Sequence, residues 1–321
     1  MLSTVGSAIL VAISLVTPAF AVINIDYASI GDAGNAEDAA TGSLYGAVAY
    51  AYQIARNETT ISQYAEFLNA VAKTDTYSLY SANMSISRSG VSGSFTYSEA
   101  SGSANKPITY VSWFDAARFT NWLHNGQPGG AQDAATTENG AYTLLGAMSG
   151  VIAKNGGAKA WIPTESEWYK AAYYDPNKGG AGVGGYWQQA SQSDTMAGNT
   201  IGVANSANFY DDDYVDFPGM ALTDVGAYGL NSDSAYGTND QAGNVYEWND
   251  AVISGSSRGL RGGAWLYEAS YLPASSRSGS TPTFEYDDVG FRVASVPETS
   301  AGLLTMLSIS ACLTRRRRST L

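Results

Sequence analysis

The sequence predicts an α+β fold, with a few short helices set among many short strands and long loops. Three observations carry this. Helical periodicity is confined to three segments, each opened by a hydroxyl residue with Gln, Asp or Glu three places on. Apolar–polar alternation recurs only in brief runs. Glycine is abundant, 35 residues of 321, while charged residues make up 14%, a profile of turns and loops rather than of a helical bundle.

The elements follow in chain order. Residues 2–21 form an uncharged apolar run ending in Ala19-Phe20-Ala21. This is the pattern of a secretory signal peptide with a small-x-small cleavage site, here without the usual Lys or Arg before the run; a buried N-terminal strand or helix is the other reading. Residues 50–54 alternate as a strand. Thr60-Ile61-Ser62-Gln63 is a capping box, in which the hydroxyl accepts from a backbone amide and Gln63 reaches back. Ile61, Tyr64, Leu68 and Val71 then recur with near-helical spacing. Residues 85–105, rich in Ser and Gly, read as a loop or short hairpin.

Ser112-Trp113-Phe114-Asp115 opens a second helix, with a body over 116–124 and a stop at Asn125-Gly126. Pro163-Thr164-Glu165-Ser166-Glu167 opens a third, burying Trp168, Ala171 and Ala172. Residues 177–185 form a glycine-rich loop. Residues 257–264 and 289–294 read as strands. No repeat of fixed period is present. The body, 22–295, amounts to about 270 residues, enough for a core without disulfides or a structural metal. The single cysteine is Cys312.

The net charge is −12, and the basic residues cluster only at Arg315–Arg318. Nucleic-acid binding needs clustered Lys and Arg, so that class is excluded, and loose adhesion to anionic lipid is disfavoured. Val296-Pro297-Glu298-Thr299-Ser300 precedes an apolar run over 301–313 and the four arginines. The run is short of the roughly 20 residues a full span needs, and the arginines belong on the cytoplasmic side. Motif, apolar run and basic stop, in this order over 296–321, resemble the PEP-CTERM sorting signal of Gram-negative bacteria, with Thr299 where that motif carries proline. The resemblance implies an exported protein trimmed by signal peptidase and an exosortase. It also implies transient membrane attachment through the tail and a final place at the bacterial cell envelope or in an extracellular matrix. A plain tail anchor is the alternative.

A series of ordered blocks spans the body. They are Arg56-Asn57-Glu58-Thr59-Thr60 with Tyr64 and Phe67, Lys106-Pro107-Ile108-Thr109-Tyr110-Val111-Ser112-Trp113, and Trp161-Ile162-Pro163-Thr164-Glu165-Ser166-Glu167-Trp168. Gly243-Asn244-Val245-Tyr246-Glu247-Trp248, Arg261-Gly262-Gly263-Ala264-Trp265 and Val289-Gly290-Phe291-Arg292 complete the series. Together they resemble the formylglycine-generating enzyme, or sulfatase-modifying factor, family. The resemblance implies an irregular α+β domain related to C-type lectins, over 22–295. It also implies oxidation of a sulfatase cysteine at a copper ion held by two cysteines after the Gly-Gly turn. Here those positions are Tyr267 and Leu272, and the family's active-site serine is Ala264. Soft thiolates select copper(I), and neither Tyr nor Leu replaces them, so no copper is expected. The expectation is a non-catalytic binding or structural surface protein. The alternative is an oxidoreductase of the formylglycine-generating type, or another activity in the same groove. That groove is implied near Ala264, Trp265, Tyr267 and Tyr271; its aromatic and hydroxyl groups suit a carbohydrate or peptide ligand.

The resemblance also implies structural calcium, an ion that takes oxygen ligands. Carried over by position, Asp240 and Glu247 supply carboxylates and Gly243 and Val245 carbonyls. A second site falls on Asn208 and Phe209, with Asp216 as acidic partner. Pairing of Glu247 with a nearby arginine is the other reading. Arg261 and Arg292 are expected to hold the fold through carboxylates and carbonyls, and most tryptophans to pack the core.

Other chemistries are excluded. His124 is the single histidine, so a two-histidine iron site is impossible within one chain; its position at a helix end suits a cation on the dipole. Gly255-Ser256-Ser257-Arg258-Gly259 has no histidine after it to complete a hydrolase triad. The 179–185 glycine run lacks the Lys-Ser/Thr of a phosphate-binding loop.

Overall fold

The computed structural model describes residues 22–211, 221–229 and 231–297. The expected leader over 1–21, the expected sorting tail beyond Pro297, Asp216, Cys312 and Arg315–Arg318 therefore lie outside the described residues. Within them, no helix is long and apolar enough to cross a membrane.

Two four-stranded sheets form the frame. The first takes the order β1-β2-β12-β5, from β1 (Tyr27–Ile30), β2 (Tyr52–Ala55), β12 (Ala294–Ser295) and β5 (Ala160–Trp161), with antiparallel neighbours throughout. The second takes the order β10-β9-β8-β11, from β10 (Ser278–Ser280), β9 (Ser257–Arg261), β8 (Tyr246–Ser254) and β11 (Val289–Gly290). There β11 runs parallel to β8 and the other neighbours are antiparallel. Two hairpins stand apart: β3 (Ile86–Ser89) with β4 (Thr96–Glu99), and β6 (Tyr174–Asp175) with β7 (Gly185–Tyr186).

All three helices form where capping predicts them. α1 (Ile61–Val71), α2 (Trp113–His124) and α3 (Glu165–Tyr173) each carry a complete capping box, from Thr60/Gln63, Ser112/Asp115 and Thr164/Glu167. Each box satisfies two amides that the first turn leaves without helical partners. Aromatic contacts join the elements. Phe67 of α1 meets Phe119 of α2 at 5.3 Å, and Phe119 meets Phe291 at the same distance.

The strand over 289–294 is corrected to two. β11 and β12 sit in different sheets, and Phe291-Arg292-Val293 cross between them. A Cβ at Gly290 would stand 2.5 Å from the Ile108 carbonyl oxygen, so the crossing needs glycine there. The strand over 257–264 ends at Arg261, because Gly262 and Gly263 take φ of 103° and 73°. The 85–105 segment holds the β3–β4 hairpin. β1 and the nine-residue β8 had no alternation clear enough to announce them.

Four arginines, Arg118, Arg258, Arg261 and Arg292, are fully buried. They pair with Glu138 (2.7 Å), Asp250 (2.8 Å), Glu165 (2.6 Å) and Glu247 (2.6 Å). Each also donates to backbone carbonyls, most of them in loops. A loop-rich fold leaves many buried carbonyls outside sheets and helices, and the five-donor guanidinium satisfies them in groups. Four tryptophans, Trp113, Trp122, Trp168 and Trp248, are likewise wholly buried. Trp187 and Trp265 are only half-buried, the latter against the expectation of core packing.

Candidate functional site

Two loops meet at the head of β8. Asp240, Gly243 and Asn244 take left-handed backbone, with φ of 58°, 78° and 59°, which coils the chain before Val245. This turn presses on Asn208 and Phe209. Residues 208 and 243 form a parallel bridge. Asn244 N donates to Asn208 O at 2.8 Å, and Asn208 Nδ2 donates to Asn244 Oδ1 at 3.1 Å. A Cβ at Gly243 would press into the Asn208 carbonyl, so only glycine fits. Asn208 and Phe209 of the second expected calcium set thus share one junction with the first set.

The carboxyls at this junction divide their roles. Glu247 Oε2 accepts from Arg292 Nε at 2.6 Å and from Trp168 Nε1 at 2.7 Å, and its Oε1 accepts from Arg292 Nη2 at 2.7 Å. Asp240 Oδ2 accepts from Gly226 N at 2.5 Å. Glu58 Oε1 accepts from Asn244 Nδ2 at 3.1 Å, while its Oε2 is buried without a hydrogen-bond partner. Burial, then the neighbouring Asp240, pushes the Glu58 carboxyl well above the usual carboxylate range, and burial also raises Asp240. Three buried carboxyls therefore gather around the single guanidinium of Arg292. Among the described residues, no group of three or more His, Cys, Asp or Glu side chains is arranged to hold a metal ion. A cation here would draw on carbonyl oxygens as well.

The junction is laced to the segment expected to line a groove. Gly243 N donates to Gly262 O (2.8 Å), Trp265 N to Asn244 O (3.0 Å) and Tyr210 N to Tyr267 O (2.8 Å). Ala264 is fully buried and lies beneath the surface, so it does not line the groove. Tyr267 packs on Tyr246 at 5.4 Å and on Tyr271 at 5.3 Å. Tyr271 is 44% exposed and Trp265 half-buried, its Nε1 directed at Asp287 O (3.4 Å). Burial, followed by Asp288, raises the Tyr267 hydroxyl, and Asp288 is itself raised by burial. The surface presents aromatic rings beside a carboxyl–phenol pair.

Sequence reasoning missed Tyr246 and Asp288. Tyr246 lies inside the block from Gly243 to Trp248, and Asp288 directly precedes Val289-Gly290-Phe291-Arg292.

Leu272 is wholly buried in a cluster with Trp168, Tyr169 and Tyr173, whereas Tyr267 packs against the main core. Neither position offers a thiolate or imidazole.

The discarded motifs have structural roles. His124 ends α2, but its Nδ1 accepts from Lys159 N at 3.0 Å. Burial and Lys159 lower its pKa, so it serves as a neutral acceptor rather than a cation on the helix dipole. Gly255 and Ser256 turn the β8–β9 hairpin, and no helix follows. The 179–185 glycines close the β6–β7 hairpin.

A family model described as the sulfatase-modifying factor enzyme 1-like domain matches residues 33–296. Among solved structures, the chain is similar to CarF at 20% identity and a TM-score of 0.50, covering 86% of this chain and 99% of that one. It is also similar to Treponema denticola variable protein 1 at 19% identity and a TM-score of 0.52, covering 87% and 98% respectively. At these identities the likeness is one of fold: the irregular α+β architecture extends over nearly the whole of each relative. No curated protein matches the sequence.

Proposed function

We propose a binding role, without oxidase chemistry, for this chain, which belongs to the sulfatase-modifying factor enzyme 1-like domain family. One observation carries the reading. The two positions at which the family resemblance implies copper-ligating cysteines hold Tyr267, partly buried against one hydrophobic cluster, and Leu272, wholly buried in another. Copper(I) needs soft donors, and these residues do not fit it. The half-exposed face of Trp265, Tyr267 and Tyr271 instead suits a carbohydrate or peptide, combining apolar area with hydroxyls and the Asp288 carboxyl.

Calcium belongs to the same proposal. Glu58 Oε2 is a buried oxygen without a protein partner, and Asp240 is its nearest acidic neighbour by effect. Buried carboxylates need a cation, a proton or donors. Asp240 and Glu58, with the carbonyls of Gly243 and Val245, would hold the ion, while Glu247 is already engaged by Arg292. A second ion would fall to Asn208, Phe209 and Asp216.

Elemental analysis with a copper(I) competition titration is expected to give bound calcium, no stoichiometric copper, and a lower melting temperature after chelation. Tight copper, or turnover of a cysteine-containing sulfatase peptide, would establish the oxidoreductase alternative. One calcium rather than two would remove the Asn208 site, and none would remove both.

Export to the envelope completes the reading, supported by the apolar run over 2–21 and the motif, apolar run and arginines over 296–321. Intact mass of protein recovered from a bacterial host with an exosortase is expected to begin at Val22 and to lack the arginines. A mass retaining Arg315–Arg318 would establish a plain tail anchor.

A further inference from the structure

We propose that the cleft between the 3-10 turn Ala39–Thr41 and the β6–β7 hairpin binds a neutral saccharide. The cleft encloses about 400 Å³, within the range of small-ligand sites. It shares no lining residue with the tyrosine groove, so the inference is independent of that reading.

Its chemistry is specific. Asp38, 9% exposed, lies in the lining. Its Oδ1 accepts from Ala40 N at 2.9 Å and its Oδ2 from Tyr169 OH at 2.7 Å, which leaves each oxygen a second acceptor direction. Trp187 is pinned from two sides: its Nε1 donates to Asp175 Oδ2 at 3.1 Å, and Lys178 Nζ stands 4.0 Å from its ring centroid. At the rim, Asp194 Oδ1 accepts from Lys178 Nζ at 2.7 Å and from Gln188 N at 3.1 Å. The Lys178 ammonium holds the Asp194 carboxyl below its usual range, so it stays an acceptor at neutral pH.

These features select a ligand class. Two carboxylates against one ammonium repel an anion. A cation would seek the aromatic face and the carboxylates, but Lys178 already occupies the Trp187 ring and the Asp194 carboxylate. A polyol with a C–H face meets neither obstacle. Its hydroxyls donate to Asp38 and Asp194 in charge-assisted bonds, and its C–H face lies against Trp187 and Tyr186 of the lining. The 179–185 glycine run builds this wall. Gly184, at φ +76°, leaves its side-chain position to the Tyr174 hydroxyl, which closes the hairpin that carries Lys178 and Trp187.

The test is titration of the purified protein with maltose, galactose and N-acetylglucosamine, followed by calorimetry and tryptophan fluorescence. Saturable binding of at least one sugar, with a dissociation constant of about 1 mM, is expected to weaken about tenfold in Trp187→Ala and in Asp194→Asn. Asp194 is exposed, so its variant folds even where Trp187→Ala does not; melting curves check both. No saturable binding of any of the three sugars overturns the proposal, as does unchanged affinity in Asp194→Asn. Loss of binding in Tyr271→Ala with Asp194→Asn unaffected would place the sugar in the tyrosine groove and overturn it too. Displacement of bound sugar by sulfate or lysine amide would reassign the cleft to charged ligands.

Discussion

Glu247→Gln is expected to destabilise the protein by about 3–5 kcal/mol, the cost of leaving a buried charge without its partner. Glu247 and Arg292 are both fully inaccessible, and all five guanidinium donors are in use. Two of them meet Glu247, while the others meet the carbonyls of Ala55, Arg56 and Asn239. The cluster therefore ties the end of β2, the Asp240 turn and β8 to the segment that crosses between the sheets. Arg292→Met is expected to be as damaging, since it strands one carboxylate and three carbonyls together. Urea unfolding curves measure both. A loss below about 1 kcal/mol would mean that water reaches and screens the pair, and would refute its role as the central crosslink.

Gly243→Ala carries the second large effect, a loss of at least about 3 kcal/mol. Two penalties combine there. The backbone is left-handed at φ 78°, which disfavours any L side chain by about 1–2 kcal/mol. The new Cβ also meets backbone rather than a flexible side chain, because the Asn208 carbonyl fills the space. Separating the two segments would break the Asn244–Asn208 bond and disturb the link from Gly243 to Gly262, so the Asn208–Asn244 junction and the turn at Gly262-Gly263 should loosen together. Gly42→Ala is the control: its φ is 74°, but nothing lies within 4 Å of the added Cβ, so only the conformational penalty remains. Equal thermal shifts for the two variants would show that the close approach at Gly243 has no energetic weight.

Both residues sit in motif blocks that were legible in the sequence, yet their roles were legible to different degrees. Gly243 was read as a carbonyl ligand, and its need to admit Asn208 was invisible because the partner lies 35 positions earlier in the chain. Glu247 carried two readings, calcium ligand or arginine partner. The carboxylate is on Arg292, while the unpartnered oxygen belongs to Glu58, which in the sequence is one residue of the block before the first helix. The family resemblance implies a groove near Ala264, at the position of the family's active-site serine. The burial of Ala264 follows from the sharp Gly262-Gly263 turn, which no periodicity reports. His124 shows the same limit: its helix-end position was correct, but the Lys159 amide that makes it an acceptor comes from a remote loop.

What the sequence determined by itself was local chemistry and identity of fold. Capping boxes at Thr60, Ser112 and Thr164 specify where helices begin, because their hydrogen bonds join residues three apart. The ordered blocks specify the family, and the residues at 267 and 272 specify which donor atoms exist for a metal. What only the tertiary structure decided was convergence. The meeting of Asn208 with Gly243, the carboxyls sharing Arg292, the edge-on contact of Tyr246 with Tyr267 and the Asp38–Trp187 cleft all join residues distant in the chain. In a fold with few regular elements, such contacts are set by glycine turns and buried guanidinium clusters, and their energies depend on burial and approach distances that no sequence spacing contains.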